Sequence, residues 1–259
     1  MIETRNDLER PLTARSVIAS TLLGANPPWL PSSVLVRSGQ LFGITEGTTR
    51  TALSRMVAAG DIEAQDGGYR LVGALLDRQT RQEESRAART RSWDGTWTAA
   101  AVTEERRSAE ARSALRAAMR SLRLAELREG YWLRPDNLDP DRLPDAAAVV
   151  TAQCARFSVR PESPPATDLA ARLWDLGAWA ERADDLRRRM ASLFDRLEAG
   201  DTEALAPAFV LSAAVLRHTQ ADPLLPRELV PEAWPGAALR SEYDAYDAAF
   251  LDLWRSYVR

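Results

Sequence analysis

Residues 45–60, ThrGluGlyThrThrArgThrAlaLeuSerArgMetValAlaAlaGly, form the stretch that decides the fold of the N-terminal part of the chain. Thr45 is a suitable N-terminal cap for a helix, and Glu46 places a negative charge where the helix dipole favours one. Gly60 is a typical C-terminal stop. The spacing puts three apolar residues on one face of the predicted helix, namely Leu53, Met56 and Val57.

The opposite face of this predicted helix has no bulky apolar group. It carries small hydroxyl residues and arginines: Thr48, Thr51, Arg55 and Ala58, flanked by Arg50 and Ser54. Such a face fits the DNA major groove, where arginine binds guanine edges or phosphates and threonine offers a methyl and a hydroxyl. The alternative is an ordinary amphipathic helix that carries threonine, serine and arginine on its solvent side.

The sequence on either side of this helix completes a winged helix-turn-helix. Two short strands flank the turn GlnAspGlyGly at residues 65–68, which predicts a hairpin that would serve as the wing. Upstream, residues 14–22 repeat apolar side chains at helical spacing. Ser32 or Ser33 can cap a second helix that runs to about Phe42. Three helices followed by a hairpin are the winged-helix layout.

The composition is that of an ordinary globular protein of 259 residues, and all 34 basic residues are arginine. The net charge of −3 argues against a generally basic coat, although residues 1–91 carry 12 arginines against 10 acidic residues. The single cysteine, Cys154, excludes an intrachain disulfide and is interpreted as a small core residue. No apolar run is long enough to span a bilayer. We therefore expect a cytoplasmic protein with no membrane partner.

The remaining sequence divides into three segments after a winged helix at residues 1–76. Residues 77–92 hold five arginines and predict a solvated linker or helix. Residues 93–162 show a β-α-β-β order that predicts a small ferredoxin-like domain. Residues 163–259 are predicted to be helical. The predicted fold class is therefore α+β, mostly helical.

Two patterns within these segments lead to specific expectations. Residues 149–159 have the composition of a strand or a bent pair of strands. The last helix carries a wide aromatic stripe, which is interpreted as core or as a dimer interface. The stripe consists of Tyr243, Tyr246, Phe250, Leu253, Trp254 and Tyr257.

Five blocks in fixed order resemble a known family over nearly the whole chain. They are ThrArgThrAlaLeuSerArgMetValAlaAlaGlyAspIleGlu at 49–63, TrpAspGlyThrTrp at 93–97, GluGlyTyrTrpLeuArgProAspAsnLeu at 129–138, LeuTrpAspLeu at 173–176, and AspProLeuLeuProArgGluLeuValProGluAlaTrpProGly at 222–236. Together they resemble the PaaX family of bacterial transcriptional repressors, named for the control of phenylacetate breakdown.

The resemblance implies an architecture and a mechanism. The architecture is an N-terminal winged helix, a middle domain related to the Cas2 ferredoxin-like proteins, and a helical C-terminal domain. The implied mechanism is a homodimeric repressor that binds double-stranded palindromic operator DNA. A small-molecule effector, an acyl-CoA thioester such as phenylacetyl-CoA, would release the operator. No cofactor is implied.

The resemblance also carries the DNA-contacting role onto particular residues of this sequence. The role of the recognition helix falls on Thr48, Arg50, Thr51, Ser54 and Arg55, and the role of the wing falls on Tyr69 and Arg70. The wing departs from the family pattern, because it is short and has an aspartate at its tip. That acidic wing and the negative net charge favour a second interpretation, in which the chain is a ligand- or protein-sensing scaffold that does not bind DNA.

The sequence shows no catalytic constellation, so we expect neither an enzyme nor a metal site. The only histidine, His218, is interpreted as a hydrogen-bonding residue or, alternatively, as an effector contact. Cas2-like folds can host a metal-dependent nuclease with a carboxylate at the end of the first strand. Asp94 and Glu104 flank that strand here, which keeps a nuclease as a remote alternative, because fold alone does not define function.

Overall fold

The computed structural model describes residues 12–104 and 106–258 and divides the chain into two compact units. One unit contains the chain up to Arg86, together with Arg182–Ala221 and the part from Pro235 onward. The other contains Ala87–Glu181 and Asp222–Trp234. The first eleven residues of the predicted first domain lie outside the described part. The division into four segments stays a prediction.

The first unit begins with three helices and three short strands. These are α1 (Ala14–Leu23), β1 (Trp29–Pro31), α2 (Ser32–Leu41), α3 (Glu46–Ala58), β2 (Ile62–Gln65) and β3 (Gly68–Leu71). The strands form an antiparallel sheet in the order β1-β3-β2. The predicted sequence of helices and hairpin is therefore present, with one additional strand.

A small apolar core holds these helices against the hairpin, and it includes Ile18, Leu22, Leu35, Leu53, Met56 and Leu71. The prediction that Val57 shares this buried face was wrong, because its side chain is 39% exposed. Thr49 takes that place instead and is fully buried, with its hydroxyl donating to the Thr45 carbonyl at 3.1 Å. Because the hydroxyl donates a hydrogen bond within its own helix, it can be buried in the core without an unpaired donor.

The second helix and its flanking strand differ from the prediction in detail. Neither Ser32 nor Ser33 caps α2, because Pro31 occupies the cap position and makes no side-chain bond. The Ser32 hydroxyl instead donates to the Gly67 carbonyl at 2.8 Å. Strand β1, which was not predicted from the sequence, lies in a proline-rich stretch, where Trp29 donates its indole N–H to the Gln65 carbonyl at 3.0 Å.

Helices α2 and α3 approach closely at one glycine. A Cβ atom added at Gly39 would lie 2.4 Å from the Thr49 hydroxyl oxygen, well inside van der Waals contact. The chain then turns at Gly43, which has a positive φ of 70°, a conformation that glycine adopts without steric cost. Gly39 therefore sets the distance between the two helices, and Gly43 sets the direction in which α3 leaves.

The first unit is completed by four further helices. They are α4 (Gly73–Ala87), α8 (Leu176–Glu198), whose first turns belong to the second unit, α9 (Leu205–Gln220) and α10 (Gly236–Val258). Tyr243 and Tyr246 of the aromatic stripe are buried, so this part of the stripe lies in the core. Burial raises the pKa of both phenols, with Asp247 as the second cause.

Helix α4 was predicted as a solvated segment, and that prediction was wrong for one of its faces. Gln79, Gln82 and Ser85 are buried, and Gln79 donates to the carbonyls of Leu23 and Ala25. Polar side chains line this face, which is why no apolar periodicity marked it. Burial is possible because the amide of Gln79 finds backbone acceptors on the loop after α1.

The second unit contains a four-stranded antiparallel sheet with two helices on one face. Its elements are β4 (Trp97–Val102), α5 (Ala109–Ser121), β5 (Ala125–Arg128), β6 (Tyr131–Pro135), α6 (Pro144–Gln153) and β7 (Cys154–Val159), in the strand order β5-β6-β4-β7. The βαββαβ order and this strand order make a ferredoxin-like fold.

The predicted strand at 149–159 was half wrong, because residues 149–153 end helix α6. Cys154 is buried, and burial raises the pKa of its thiol.

The opposite face of this sheet is covered by a segment distant in sequence. Trp97, Ala99 and Leu133 pack with α7 (Ala166–Leu173) and with Leu225 and Leu229 of the segment Asp222–Trp234, here called the proline-rich block. The indole of Trp234 from the same block stacks on Trp179 at 4.5 Å between centroids. The proline-rich block is therefore part of the second unit.

A buried polar network fastens this block. The Arg134 guanidinium donates to Asn137 Oδ1 at 2.7 Å, and Asn137 Nδ2 donates to the Leu224 carbonyl at 2.9 Å. Arg123 donates to the Asp222 carbonyl, while the Asp222 carboxylate accepts the Leu224 N–H at 2.9 Å. Asn137 thus links the end of β6 to the block through two buried bonds.

No helix among the described residues combines the length and apolarity needed to cross a membrane.

Asn137→Leu should lower the free energy of unfolding of the second unit by about 3 kcal/mol, because it removes two buried hydrogen bonds, one from the charged Arg134 guanidinium and one to the Leu224 carbonyl. Urea denaturation followed by tryptophan fluorescence measures the loss. Glu129→Ala, in the exposed β5–β6 turn, is the control and should change stability by less than about 0.5 kcal/mol. Equal free energies of unfolding of both variants would show that these hydrogen bonds do not stabilise the second unit.

Gly39→Ala should destabilise the first unit by about 1–3 kcal/mol, because the added methyl overlaps the Thr49 hydroxyl. Thr49→Ala removes the overlapping oxygen, so the double variant should lose less stability than the sum of the two single variants. Thermal unfolding of all four proteins measures this coupling. Simple additivity would contradict the proposed contact between α2 and α3.

Candidate nucleic-acid interface

Helix α3 presents a continuous exposed face made of the residues predicted to contact DNA. Thr45 caps the helix as predicted, accepting the Thr48 N–H at 3.2 Å. The five predicted positions on the helix are all exposed: Thr48, Arg50, Thr51, Ser54 and Arg55. The opposite side of the helix is fixed in the core by Leu53 and Met56, so its orientation in the unit is set by packing.

The hydroxyl groups on this face already make hydrogen bonds within the helix. The Thr48 and Thr45 hydroxyls lie 2.9 Å apart, and the Thr51 hydroxyl donates to the Gly47 carbonyl at 2.8 Å. The Thr51 proton is therefore committed, which leaves its oxygen lone pairs and its methyl group for a ligand. This threonine is suited to contact a thymine methyl or a base N–H donor.

The two arginines of the face differ in their partners. Arg50 forms an i,i+4 ion pair with Glu46 at 2.7 Å, and both side chains are exposed. Arg55 is exposed, and among residues 12–104 and 106–258 no ion pair to it is formed. Arg55 is therefore the guanidinium on this face that is available without breaking an ion pair.

A groove of about 660 Å³ runs beside the exposed face of α3 and is bordered by the start of α1. Arg15 lies at its edge and pairs with Asp61 at 2.8 Å, while its own side chain remains 63% exposed. Sequence reasoning did not identify Arg15. No local pattern marks it, because its position beside α3 comes from a contact between residues far apart in the chain.

The wing is the hairpin formed by β2 and β3. Its turn has positive φ angles at both central residues, 48° at Asp66 and 75° at Gly67, as a type I′ turn requires. Tyr69 is half-buried against the core. Arg70 is exposed but bound to Glu63, with 2.6 Å between Nη2 and the carboxylate. In the free protein the wing thus presents an ion pair.

The arginines between residues 78 and 91 are partly engaged within the protein. Arg86 pairs with Asp244 at 2.7 Å and with Asp247 at 2.9 Å. Burial lowers its pKa, but the hydrogen bond to Asp244 and the charge of Asp247 outweigh burial and raise it. Arg78 differs, because burial and the charges of Arg217 and Arg81 lower its pKa. Arg86 therefore has a structural role.

The two carboxylates considered for a nuclease do not come together. Asp94 precedes β4 and Glu104 follows it, so the full strand, about 17 Å long at the rise of an antiparallel strand, lies between them. Hydrogen bonds from Thr96 and the nearby charge of Arg160 lower the pKa of Asp94, which pairs with Arg160 at 2.8 Å. The structure thus gives these carboxylates no shared metal site.

His218 lies in the last turn of α9. Within the described ranges, no group of three or more His, Cys, Asp or Glu side chains is arranged to hold a metal ion. The role of His218 as an effector contact stays a prediction.

Comparison with known proteins covers most of the chain. Three family models match in order: PaaX-like protein at residues 13–75, the PaaX protein central Cas2-like domain at 90–159, and the PaaX-like protein C-terminal domain at 174–259. A solved structure, the uncharacterized protein Rv0674 from Mycobacterium tuberculosis, is similar with a TM-score of 0.72 and 44% sequence identity. The match covers 95% of this chain and 98% of that one.

No curated protein matches the chain. The three family models nevertheless fit the observed order of helices and hairpin, ferredoxin-like sheet and C-terminal helices, and together they span most of the sequence. The chain therefore belongs to the PaaX family of transcriptional regulators.

Proposed function

We propose that this regulator binds double-stranded operator DNA in a sequence-specific manner, with α3 in the major groove. The observation that carries the proposal is the exposed face of α3, on which Arg55 has no ion pair with any other described residue. An available guanidinium between threonine and serine hydroxyls can bind guanine edges or phosphates. Arg15, at the edge of the adjoining groove, is placed to add a phosphate contact.

The two-fold symmetry expected of the complex follows from how helix-turn-helix dimers bind DNA. We infer a homodimer, because two copies of α3 would enter successive major grooves one helical turn, or a multiple of it, apart. A palindromic operator matches that symmetry. The regulator would act as a repressor that a small-molecule effector, such as an aryl- or acyl-CoA, releases from DNA. Such release requires different affinities of the effector for the two states of the dimer.

A second candidate function has one specific observation in its favour. Three of the cationic side chains proposed to contact DNA are neutralised in the free protein, Arg15 by Asp61, Arg50 by Glu46 and Arg70 by Glu63. A sensing scaffold that does not bind DNA would show the same pairs. The two functions differ in whether the chain prefers its own upstream DNA to random DNA, and the next experiment measures that preference.

Arg55→Ala should weaken binding to DNA from the upstream region of the protein's own gene by about 5- to 150-fold, because one good bidentate base contact contributes about 1–3 kcal/mol. Fluorescence anisotropy at matched salt measures affinity and stoichiometry, with two chains expected per duplex. Arg116→Ala removes the same charge from an exposed position on α5 and is the control. The scaffold function would be favoured if the unaltered protein showed no preference over random DNA even at low salt.

Glu63→Gln should strengthen DNA binding severalfold, because it releases Arg70 from its ion pair and removes a negative charge from the wing. The logarithm of affinity should also fall more steeply with the logarithm of salt, by about 0.9 for one added phosphate contact. A salt series of anisotropy titrations measures the slope. Glu129→Gln makes the same charge change on the second unit, and a slope shared by both variants would remove Arg70 from the contacts.

A further inference from the structure

A second cavity lies in the first unit, beside the turn that leads into α3. It has a volume of about 730 Å³ and is bounded by α8, by α9 and by the ring of Phe42 at the end of α2. Small-molecule sites commonly have volumes of about 300–1,000 Å³. Its size is therefore suited to a compact organic ligand.

The charged wall of this cavity has more positive than negative charge. Asp185 is the one carboxylate among its lining residues, and it faces Arg189 at 3.0 Å and Arg188 at 4.0 Å. A third arginine outside the lining, Arg182, also binds Asp185, at 2.7 Å. One carboxylate is thus shared by three guanidinium groups, and Arg188 remains 73% exposed. This wall is complementary to an anion.

The other wall is apolar. Leu193 of α8 and Val210 and Leu211 of α9 line it, together with Phe42. Polar groups gathered at one side of an apolar cavity fix the orientation of a ligand that has one charged end. The cavity therefore suits an anion attached to an apolar body and offers little to a sugar or a free inorganic ion.

Phe42 connects the cavity to the helix-turn-helix. Its ring lies 5.2 Å from that of Phe209, which in turn lies 6.3 Å from Phe250. Its N–H bonds to the Gly39 carbonyl at 3.0 Å, and the next residue, Gly43, makes the turn into α3. A ligand that displaces the Phe42 ring would act directly on the start of that turn.

We propose that this cavity binds an organic anion with an apolar body, and that the bound ligand shifts Phe42 and thereby α3. The consequence for DNA release rests on the proposed function, whereas ligand binding and the response of α3 do not. An aryl or alkyl carboxylate has this chemistry, and so does an acyl-CoA, whose anionic groups are the phosphates of coenzyme A and whose apolar body is the acyl group.

The test of the site uses 8-anilinonaphthalene-1-sulfonate, a fluorescent apolar anion, added to the full chain without DNA. We expect saturable binding, and about tenfold weaker binding to Arg188→Glu, since a hydrogen bond to a charged group is lost and repulsion is added. Val210→Trp should abolish binding by filling the cavity. Arg196→Glu, on α8 outside the lining, is the charge-matched control. Circular dichroism confirms that each variant is folded.

Competition titrations distinguish which kind of organic anion binds the cavity. Phenylacetate, phenylacetyl-CoA and free coenzyme A are titrated against the bound probe. Displacement by phenylacetate or phenylacetyl-CoA, but not by coenzyme A alone, is expected for a site that needs an apolar body. Absence of probe binding, or equal affinity in Arg188→Glu and Arg196→Glu, would overturn the proposal.

Hydrogen exchange measures the response of α3 independently of any DNA. The amides of residues 45–58 should change in protection when the probe saturates the site. Phe42→Leu keeps an apolar wall, so it should retain probe binding within about threefold while losing that change. Unaltered exchange in the saturated wild-type protein would refute the link to α3. A failure of DNA binding would instead concern the proposed function alone, since neither measurement contains DNA.

Discussion

The contact between the rings of Phe42 and Phe209 is the interaction on which the arrangement of the first unit depends. Phe42 ends α2, and Phe209 belongs to α9, so one ring contact joins the helix-turn-helix to the C-terminal helices. Arg37 adds a bond from α2 to the Tyr257 carbonyl at 2.9 Å. Aromatic pairs contribute about 0.5–1.5 kcal/mol beyond the area they bury. An interaction of that size helps to orient α2, and the binding free energy of a ligand is large enough to displace the Phe42 ring from it.

The second unit depends on a different constraint, the burial of two arginines. Arg123 and Arg134 are 7% and 4% exposed, and Asp222 is the carboxylate buried with them. Charges in a low-dielectric interior require hydrogen-bonding partners. Backbone carbonyls, including that of Leu224, supply several of them. The proline-rich block therefore has a structural role, since its Asp222 and Leu224 carbonyls accept hydrogen bonds from the two guanidinium groups, with Leu224 in a left-handed conformation at a φ of 51°.

Local signals carried the prediction of α3 and of the hairpin, because capping by Thr45 and the turn at Asp66 and Gly67 involve neighbours in sequence. Prediction failed where distant residues decide the environment. Val57 has the apolar character of a core residue, yet it is 39% exposed. Gln79 has the character of a surface residue, yet carbonyls after α1 accept its amide protons. The five exposed positions on α3 were predictable, whereas the place of Arg15 beside them was not.

The ion pairs on α3 and on the wing are compatible with the proposed DNA binding of a chain that has a negative net charge. Exposed pairs such as those of Arg50 with Glu46 and of Arg70 with Glu63 contribute only about 0.2–1 kcal/mol. A phosphate can therefore displace either carboxylate at small cost. The pairs would increase selectivity for the operator. An arginine that must leave its carboxylate gains little binding free energy from a DNA contact of poor geometry. Arg55, which has no ion pair within the described part of the chain, would then provide the first contact in the proposed complex, and the paired arginines would join where the fit is close.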